Sequence, residues 1–331
     1  MTSGERLSED ELIARLFAPI AGAGAFSLKD DAARLQPPEG QDLVLTADAL
    51  VAGVHFFATD PAGSVARKAL RVNLSDLAAK GADPLGFLIT VALPPDWTVD
   101  WLAAFAAALG EDAHRYHCPL LGGDTVRTPG PLTLSVTAFG ALPTGRMVTR
   151  LGARPGDRIL VTGTIGDASL GLALRSEPTS AWANVLSPAE KAHLADRYLQ
   201  PEPRCLFARA IRDHANAAMD VSDGLVGDLA KLLKASGVSG ELDLDAVPLS
   251  AAARAAIGAR PQLLETAVTG GDDYEILCTV PEGRLTSLRA AADAAGVALS
   301  VIGEVQAGKG ELAIRDQRGP RQFGRQSFSH F

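Results

Sequence analysis

The sequence predicts a two-domain α/β (α+β) protein. Its 331 residues are enough for two domains that each bury a core of their own. Hydrophobic residues make up 47% and aromatic residues only 5%, so the cores must be built mainly from Ala, Leu and Val. A polar stretch broken by Gly152, Pro155 and Gly156 separates two halves in which strand-like and helix-like segments alternate. We therefore predict domains at 1–150 and 151–331.

The first domain is predicted to interleave strands with two long helices. Ser8 and Glu11 have the spacing of a capping box, which indicates a helix start. A second helix is opened by Pro61 and ended by Gly81, because proline favours the first turn and glycine the end. The other expected elements are strands at 42–46, 85–93 and 132–140 and a helix at 96–110.

The second domain begins with a buried strand at 159–162 and a glycine turn at 163–166, after which a helix starts at Asp167. A helix N-terminus behind such a turn can hold an anion, although a tight connection without a ligand is the more common use. Residues 176–204 contain four prolines and charged helical turns, and we expect a surface excursion there. Helices around 205–218 and after Leu225, and a strand at 276–280, complete the prediction.

Charge and cysteine usage exclude several classes of protein. The formal net charge is −8 and no run of Lys and Arg occurs, which argues against a nucleic-acid binder. The three cysteines lack CxxC spacing and predict a reducing compartment without a disulfide framework or a zinc site. The acidic N-terminus does not resemble a signal peptide, and no apolar run is long enough to span a membrane. We expect a cytoplasmic protein.

Several common catalytic motifs are absent. The chain has no GxxxxGK[ST] loop, no GxSxG elbow, no HExxH helix and no GxGxxG after a strand, and its six histidines do not cluster. The carboxylates are therefore the side chains that remain as candidates for the chemistry of the site. Mg²⁺ prefers oxygen ligands and is commonly held by one or two carboxylates together with substrate phosphates. Phosphoryl transfer needs positioning and charge neutralisation more than a side-chain nucleophile, so an acidic chain can bind ATP through metals.

Asp76 is the most unusual carboxylate, because it lies in the middle of a predicted helix between core leucines. Taken alone, a surface pair with Lys80 four residues on is the favoured explanation. A wider set of aspartates favours metal binding, because they stand beside small residues at the ends of predicted strands and helices. The other members of this set are Asp31, Asp48, Asp124, Asp220 and Asp223.

Several of the candidate positions have both a functional and a structural explanation. Asp220 and Asp223, with Ser222 between them, could hold a metal or could cap the following helix, and the two are about equally favoured. Gly122 and Gly123 predict a turn before Asp124, which is either a phosphate cradle or a bare turn. Arg150 could reach a phosphate or be solvated, and His55 could touch substrate, although packing beside Phe56 is the commoner role.

The order and spacing of seven stretches resemble the thiamine-monophosphate kinase family, whose superfamily also contains aminoimidazole ribonucleotide synthetase and selenophosphate synthetase. The resemblance runs nearly end to end and is more specific than any single stretch. The stretches are Asp30-Asp31, Thr46–Phe56, Lys68–Pro84, Leu121–Thr125, Val161–Asp167, Asp220–Leu225 and Gly270–Glu275.

The resemblance implies a synthetase-superfamily fold, with an N-terminal mixed sheet that pairs in a homodimer and a C-terminal α/β domain that closes over ATP. It implies ATP-dependent phosphorylation of thiamine monophosphate to thiamine diphosphate by direct in-line transfer, with several Mg²⁺ ions. Gly123, Asp124, Arg150 and Ser222 would contact ATP, and His55 and Asp272 the thiamine phosphate. The implied metal ligands are Asp31, Thr46, Asp48, Asp76, Asp124, Asp220 and Asp223.

Three positions depart from the family pattern. Lys29 stands where the family commonly has Gly, and Ala47 where it commonly has Thr. Arg325 falls near the position of an aromatic residue that would pack on thiamine, so that Phe323 or Phe328 would have to replace it. Two other functions stay open as alternatives: a related ATP-dependent synthetase, and a nucleotide-binding regulator without turnover.

Overall fold

The structure is a computed structural model that describes residues 8–324 and 327. The chain forms two compact units. Unit 1 contains the described residues up to Leu77 together with Asp83–Gly145, and unit 2 contains Ala78–Ala82 and the described residues from Arg146 onward. Across the described ranges, no helix combines the length and the apolarity needed to cross a membrane. The domain roles and the cytoplasmic location stay predictions.

Unit 1 is built on a four-stranded mixed sheet in the order β1-β4-β2-β3, in which only the β2–β3 pairing is parallel. Leu43 and Leu45 on the edge strand β1 are 37% and 61% exposed, so one side of this strand is not covered by its own unit. The strands are β1 (Gln41–Val51), β2 (Asp83–Leu93), β3 (Leu120–Arg127) and β4 (Thr133–Pro143), and the helices are α1 (Glu9–Leu12), α2 (Ala62–Ala79) and α3 (Val99–Arg115).

The helix boundaries of unit 1 follow local signals. The Ser8–Glu11 capping box is confirmed: the Ser8 side chain accepts from the Glu11 amide, and the Glu11 carboxylate accepts from the Ser8 amide. Helix α2 ends before Gly81, whose φ of 76° lies in the left-handed region that favours glycine. Thr98 caps α3 by accepting from the Trp101 amide, so the predicted start at residue 96 is three residues early.

Unit 2 is built on a seven-stranded sheet in the order β11-β10-β7-β9-β5-β8-β6. Strand β5 (Asp157–Thr162) lies between β9 (Leu299–Gln306) and β8 (Ile276–Pro281) and pairs antiparallel with both. The other strands are β6 (Ala217–Asp220), β7 (Ser239–Asp243), β10 (Leu312–Asp316) and β11 (Gly319–Pro320). The helices are α4 (Asp167–Ser176), α5 (Ala181–Val185), α6 (Pro188–Leu199), α7 (Ala208–His214), α8 (Leu225–Ser236), α9 (Ala251–Ala259), α10 (Leu263–Thr269) and α11 (Leu285–Ala295).

The expectation that residues 176–204 form a surface excursion is wrong. Helices α5 and α6 in this segment bury large side chains in a core cluster shared with α4, α9 and α10. His193 and Asp196 lie on the outer side of α6, while the apolar side chains and Arg197 face inward. The buried side chains of the segment include Trp182, Leu186, Leu194 and Tyr198.

Candidate functional site

In unit 1 the structure joins two of the predicted metal ligands. Thr46 lies on β1 and Asp76 on α2, and the Thr46 Oγ1 donates to Asp76 Oδ2 at 2.5 Å. Both residues are only partly buried. Lys80, one turn further on, donates from Nζ to the carbonyl oxygen of Ala218, so the expected surface pair between Asp76 and Lys80 is wrong. The Asp76 carboxylate therefore faces the sheet strand β1, where Asp48 follows Thr46 on the same side.

A second group of carboxylates lines a cavity of about 890 Å³ in unit 1. Asp30 and Asp31 contribute from the loop that follows the N-terminal helical segment, and Asp124 contributes from β3. All three residues are exposed. Hydroxyl groups enlarge this set of oxygen atoms, since Thr90, Thr125, Ser135 and Thr137 line the same cavity.

Gly123 is required beside Asp124 by close packing within the sheet. A Cβ atom at position 123 would lie 1.8 Å from the carbonyl oxygen of Ile89 on β2. No side chain fits at that distance, so glycine lets β3 approach β2 in register. The Gly-Gly-Asp stretch is part of strand β3, and the expectation of a turn at Gly122–Gly123 is wrong.

The two sets of acidic residues in unit 1, one with Asp48 and one with Asp124, lie on opposite faces of its sheet. Pairing places Asp48 opposite Val136, Val136 opposite Ile89, and Ile89 opposite Gly123, so all four lie on one face. Asp124 is next to Gly123 and therefore points to the other face. Within the described residues, no three His, Cys, Asp or Glu side chains come together as a group that could hold a metal. The oxygen-rich cavity fits Mg²⁺ when substrate phosphates and water complete the coordination.

His55 has a defined tautomer. The Val51 amide donates to His55 Nδ1 at 3.0 Å, so this nitrogen must carry a lone pair, and in the neutral ring the proton lies on Nε2. The buried Lys68 donates from Nζ to the His55 carbonyl oxygen at 3.0 Å and holds the backbone of the same turn. The ring is therefore oriented by its own turn, with Nε2 as a hydrogen-bond donor.

In unit 2 two loops that contain predicted site residues are paired through their backbones. The Asp272 amide donates to the Ser222 carbonyl, and the Tyr274 amide donates to the Val221 carbonyl, both at 2.9 Å. The Val221 amide in turn donates to the Glu275 carbonyl at 2.8 Å. The predicted ATP contact Ser222 and the predicted substrate contact Asp272 are thus neighbours within one unit.

Asp220 and Asp223 lie just before α8 but do not cap it. The N-cap of α8 is Gly224, and Asp228 in the first turn accepts from the Asp223 and Gly224 amides. The capping alternative for Asp223 is therefore wrong. Asp223 Oδ2 instead lies 2.5 Å from Lys231 Nζ, which also reaches Asp228 at 2.9 Å. Burial raises the pKa of Asp228, against the opposing effect of Lys231.

The remaining predicted positions lie apart from these contacts. Arg150 is exposed, and its carbonyl oxygen accepts from Ser236. Phe323 packs against the main core cluster of unit 2. Phe328 and Arg325 lie outside the described residues. Lys29 is exposed, as is Ala47.

The prediction missed a buried polar cluster around Glu275. This carboxylate is fully buried and accepts from Arg197, Arg204 and Thr162. The nearby Asp273 is also buried, accepts from the Gly166 amide, and has a pKa raised well above its usual value chiefly by burial. A carboxyl group of the chain itself therefore occupies the N-terminus of α4, where an external anion could otherwise bind. The sequence signal that could have revealed this cluster is a Glu placed directly before an apolar strand.

Comparison with protein families supports both units. The model of the family described as AIR synthase related protein, N-terminal domain, matches residues 29–142, and that of the C-terminal domain matches residues 154–315. Among curated relatives, the thiamine-monophosphate kinase of Caulobacter vibrioides is 47% identical over 311 residues, which are 92% of this chain and 86% of that protein.

Solved structures agree with these matches. The thiamine-monophosphate kinase of Stenotrophomonas maltophilia K279a is 38% identical, with a TM-score of 0.80 and coverage of 89% of this chain and 91% of that one. AaThiL complexed with AMPPCP and TMP is 31% identical, with a TM-score of 0.77 and 91% coverage of each chain. The predicted fold class, two mixed α/β domains of the synthetase superfamily, is confirmed.

Proposed function

The chain belongs to the thiamine-monophosphate kinase family, and from this premise we propose that it transfers the γ-phosphoryl group of ATP directly to the phosphate of thiamine monophosphate. The products are thiamine diphosphate and ADP. The observation that carries the proposal is the similarity to enzymes of this name over nearly the whole chain. The AaThiL complex adds support, because AMPPCP is a non-hydrolysable analogue of ATP and TMP matches the proposed acceptor.

Several Mg²⁺ ions fit the oxygen-rich positions. Thr46, Asp48 and Asp76 would hold metal on one face of the unit 1 sheet, and Asp31 and Asp124 would do so from the cavity on the other. Asp220 and Asp223 would hold metal within unit 2. Bound Mg²⁺ would neutralise phosphate charge as it develops during transfer, which a chain with a formal charge of −8 cannot do through its own net charge.

The remaining residues bind and orient. A phosphate oxygen of thiamine monophosphate attacks the γ-phosphorus in line, so no covalent intermediate on the protein is needed. His55 would donate from Nε2 to the acceptor phosphate, consistent with the tautomer that Val51 imposes. Asp272 would contact the same substrate. On the nucleotide side, Gly123 and Asp124 would cradle phosphates, and Arg150 and Ser222 would contact ATP.

A product assay tests this function. Purified protein is incubated with ATP, Mg²⁺ and thiamine monophosphate, and thiamine diphosphate and ADP are quantified by chromatography. We expect equal amounts of both products and none when the metal is chelated. Absence of thiamine diphosphate at saturating substrate would reject the kinase, and ATP binding without turnover would favour the nucleotide-binding regulator. A synthetase would release ADP only with a different acceptor.

We also propose that the active form is a homodimer joined through unit 1. The support is the exposed apolar side of edge strand β1, since Leu45 is 61% exposed in a strand whose backbone edge can pair. Leu45→Glu should convert a species of twice the chain mass into a single chain in analytical ultracentrifugation. Leu151→Glu is the matched control, because Leu151 is 62% exposed in unit 2. A dimer that persists in Leu45→Glu would contradict this interface.

A further inference from the structure

The Glu275 carboxylate is held by donors from three parts of unit 2. Arg204 donates from Nε to Oε2 at 2.7 Å and from its second nitrogen to Oε1, and Thr162 donates to Oε2 at 2.7 Å. Arg197 donates to Oε1 at 3.1 Å. A Cβ atom at Gly163 would lie 2.0 Å from Oε1, so glycine is needed to make room for this carboxylate. These donors compensate the burial of the carboxylate, and removing one of them would leave it incompletely paired.

Glu275 ends a loop whose backbone is in an unusual conformation. Asp272 has a φ of 76° and Tyr274 a φ of 51°, and neither residue is glycine. L-residues adopt this left-handed region only when the surroundings impose it. The loop is held on one side by backbone bonds to Val221 and Ser222. On its other side lies the Glu275 cluster.

Arg197 joins the loop to that cluster. It extends from α6, is 14% exposed at its side chain, and donates both to Glu275 Oε1 and to the Asp273 carbonyl oxygen at 3.4 Å. The carbonyl belongs to the residue between Asp272 and Tyr274, the two left-handed positions. Both bonds are donated by the same nitrogen, Nη2, so one end of the guanidinium contacts the backbone at the centre of the loop and the carboxylate at its end.

We propose that Arg197 is a positioning residue that fixes the loop carrying Asp272, and with it the paired segment that contains Ser222. The inference rests on the proposed function, in which Asp272 contacts thiamine monophosphate and Ser222 contacts ATP. Arg197 itself does not touch substrate. Its two bonds hold the Asp273 peptide and the Glu275 carboxylate in fixed relation, so that Asp272 is presented in one orientation.

Asp157 offers a matched control. It is a buried carboxylate on β5, in the same sheet, and it accepts from the Asn216 side chain, the Thr279 hydroxyl and the Arg154 amide. Its register partner is Pro281, at the far end of β8 from Glu275. Asp157→Asn therefore perturbs a buried polar cluster of the same unit without altering the loop.

The test compares Arg197→Met, Arg197→Lys and Asp157→Asn with the wild type. We expect Arg197→Met to raise KM for thiamine monophosphate about tenfold or more, the loss typical of one hydrogen bond to a charged group. KM for ATP should rise less, and Arg197→Lys should recover part of the loss because its charge remains. Asp157→Asn should lower the melting temperature but leave both KM values within about twofold of wild type.

A second readout does not need turnover. Hydrogen–deuterium exchange of the peptide that covers residues 270–276 should accelerate in Arg197→Met and stay at the wild-type rate in Asp157→Asn. Unchanged exchange in this peptide, or an Arg197→Met variant that loses stability with an unchanged KM for thiamine monophosphate, would overturn the proposal. If the wild type forms no thiamine diphosphate, the proposed function fails, and the exchange measurement still decides whether Arg197 holds the loop.

Discussion

Two groups of carboxylates, one in each unit, are used in opposite ways. In unit 1, Asp31 and Asp124 are exposed to a cavity, and Asp76 is partly buried beside one hydroxyl donor. In unit 2, Asp273 and Glu275 are buried among donors from their own chain. A carboxylate whose oxygens already accept strong bonds has little capacity left for a metal, whereas an exposed one keeps its lone pairs for a cation and water. The difference separates acids suited to chemistry from acids that maintain the fold.

The largest effect is expected from Asp76→Asn. The change keeps the side-chain volume and a hydrogen-bond acceptor for Thr46 but removes the charge. Turnover should fall by about two to three orders of magnitude, the scale observed when one preorganised electrostatic group is lost. Steady-state kinetics measures the turnover, and circular dichroism measures whether the variant is folded. A variant that unfolds, while its folded fraction keeps full specific activity, would assign Asp76 to the structure instead.

A large effect on stability, by contrast, is expected from Glu275→Gln. Removing the charge leaves Arg197 and Arg204 beside a neutral amide in a buried site, which should cost about 3–5 kcal/mol of unfolding free energy. Asp124→Asn is the counterpart in unit 1 and should change the unfolding free energy by less than about 0.5 kcal/mol, because the side chain is exposed. Chemical denaturation followed by circular dichroism compares them. Equal stability losses would remove the distinction between the two groups.

A smaller effect concerns the pH dependence of stability through Asp273. Burial raises its pKa well above the usual 3.8, so the folded state takes up a proton at a higher pH than the unfolded state. Stability from this group therefore increases as pH falls from the raised pKa towards about 4, by at most about 1.4 kcal/mol per pH unit.

Asp273→Asn should remove this dependence, because the amide does not titrate but still offers an oxygen to the Gly166 amide. Denaturation curves between pH 8 and pH 5 should show wild-type stability rising relative to the variant as pH is lowered. Parallel curves for the two proteins would mean that Asp273 does not titrate differently in the folded state.

Much of the fold was predictable because its signals are local. The capping box at Ser8 and Glu11, the end of α2 at Gly81 and the start of α4 at Asp167 each depend on residues within one or two turns. The five predicted strands were found but drawn too short: β1, for example, extends to Val51, beyond the predicted end at Thr46. The alternation of apolar and polar residues along β1 is lost where Thr46 and Asp48 stand in place of apolar residues. The strand continues there because it pairs with β4.

What the sequence did not reveal depends on distant partners. Arg197 and Arg204 looked like surface charges, and only Glu275, more than seventy residues away, explains their burial. The turn predicted at Gly122–Gly123 is strand because β2 lies against it. Most candidate site residues, including the aspartates of the metal set, were singled out from the sequence itself. The family resemblance added Thr46 and Asp272 and assigned the roles as ligands and contacts, which stay predictions. Their distribution over both faces of the unit 1 sheet follows from strand register, which local patterns do not specify.

The most direct test of the account is the magnesium dependence of ATP binding, measured by isothermal titration calorimetry with and without a chelator. If exposed aspartates hold ATP through metal, Mg²⁺ should strengthen binding about a hundredfold or more in the wild type, since each tenfold corresponds to about 1.4 kcal/mol. Asp124→Asn should lose most of this gain, and Asp157→Asn should keep it. ATP affinity that is the same with and without Mg²⁺ would contradict the account.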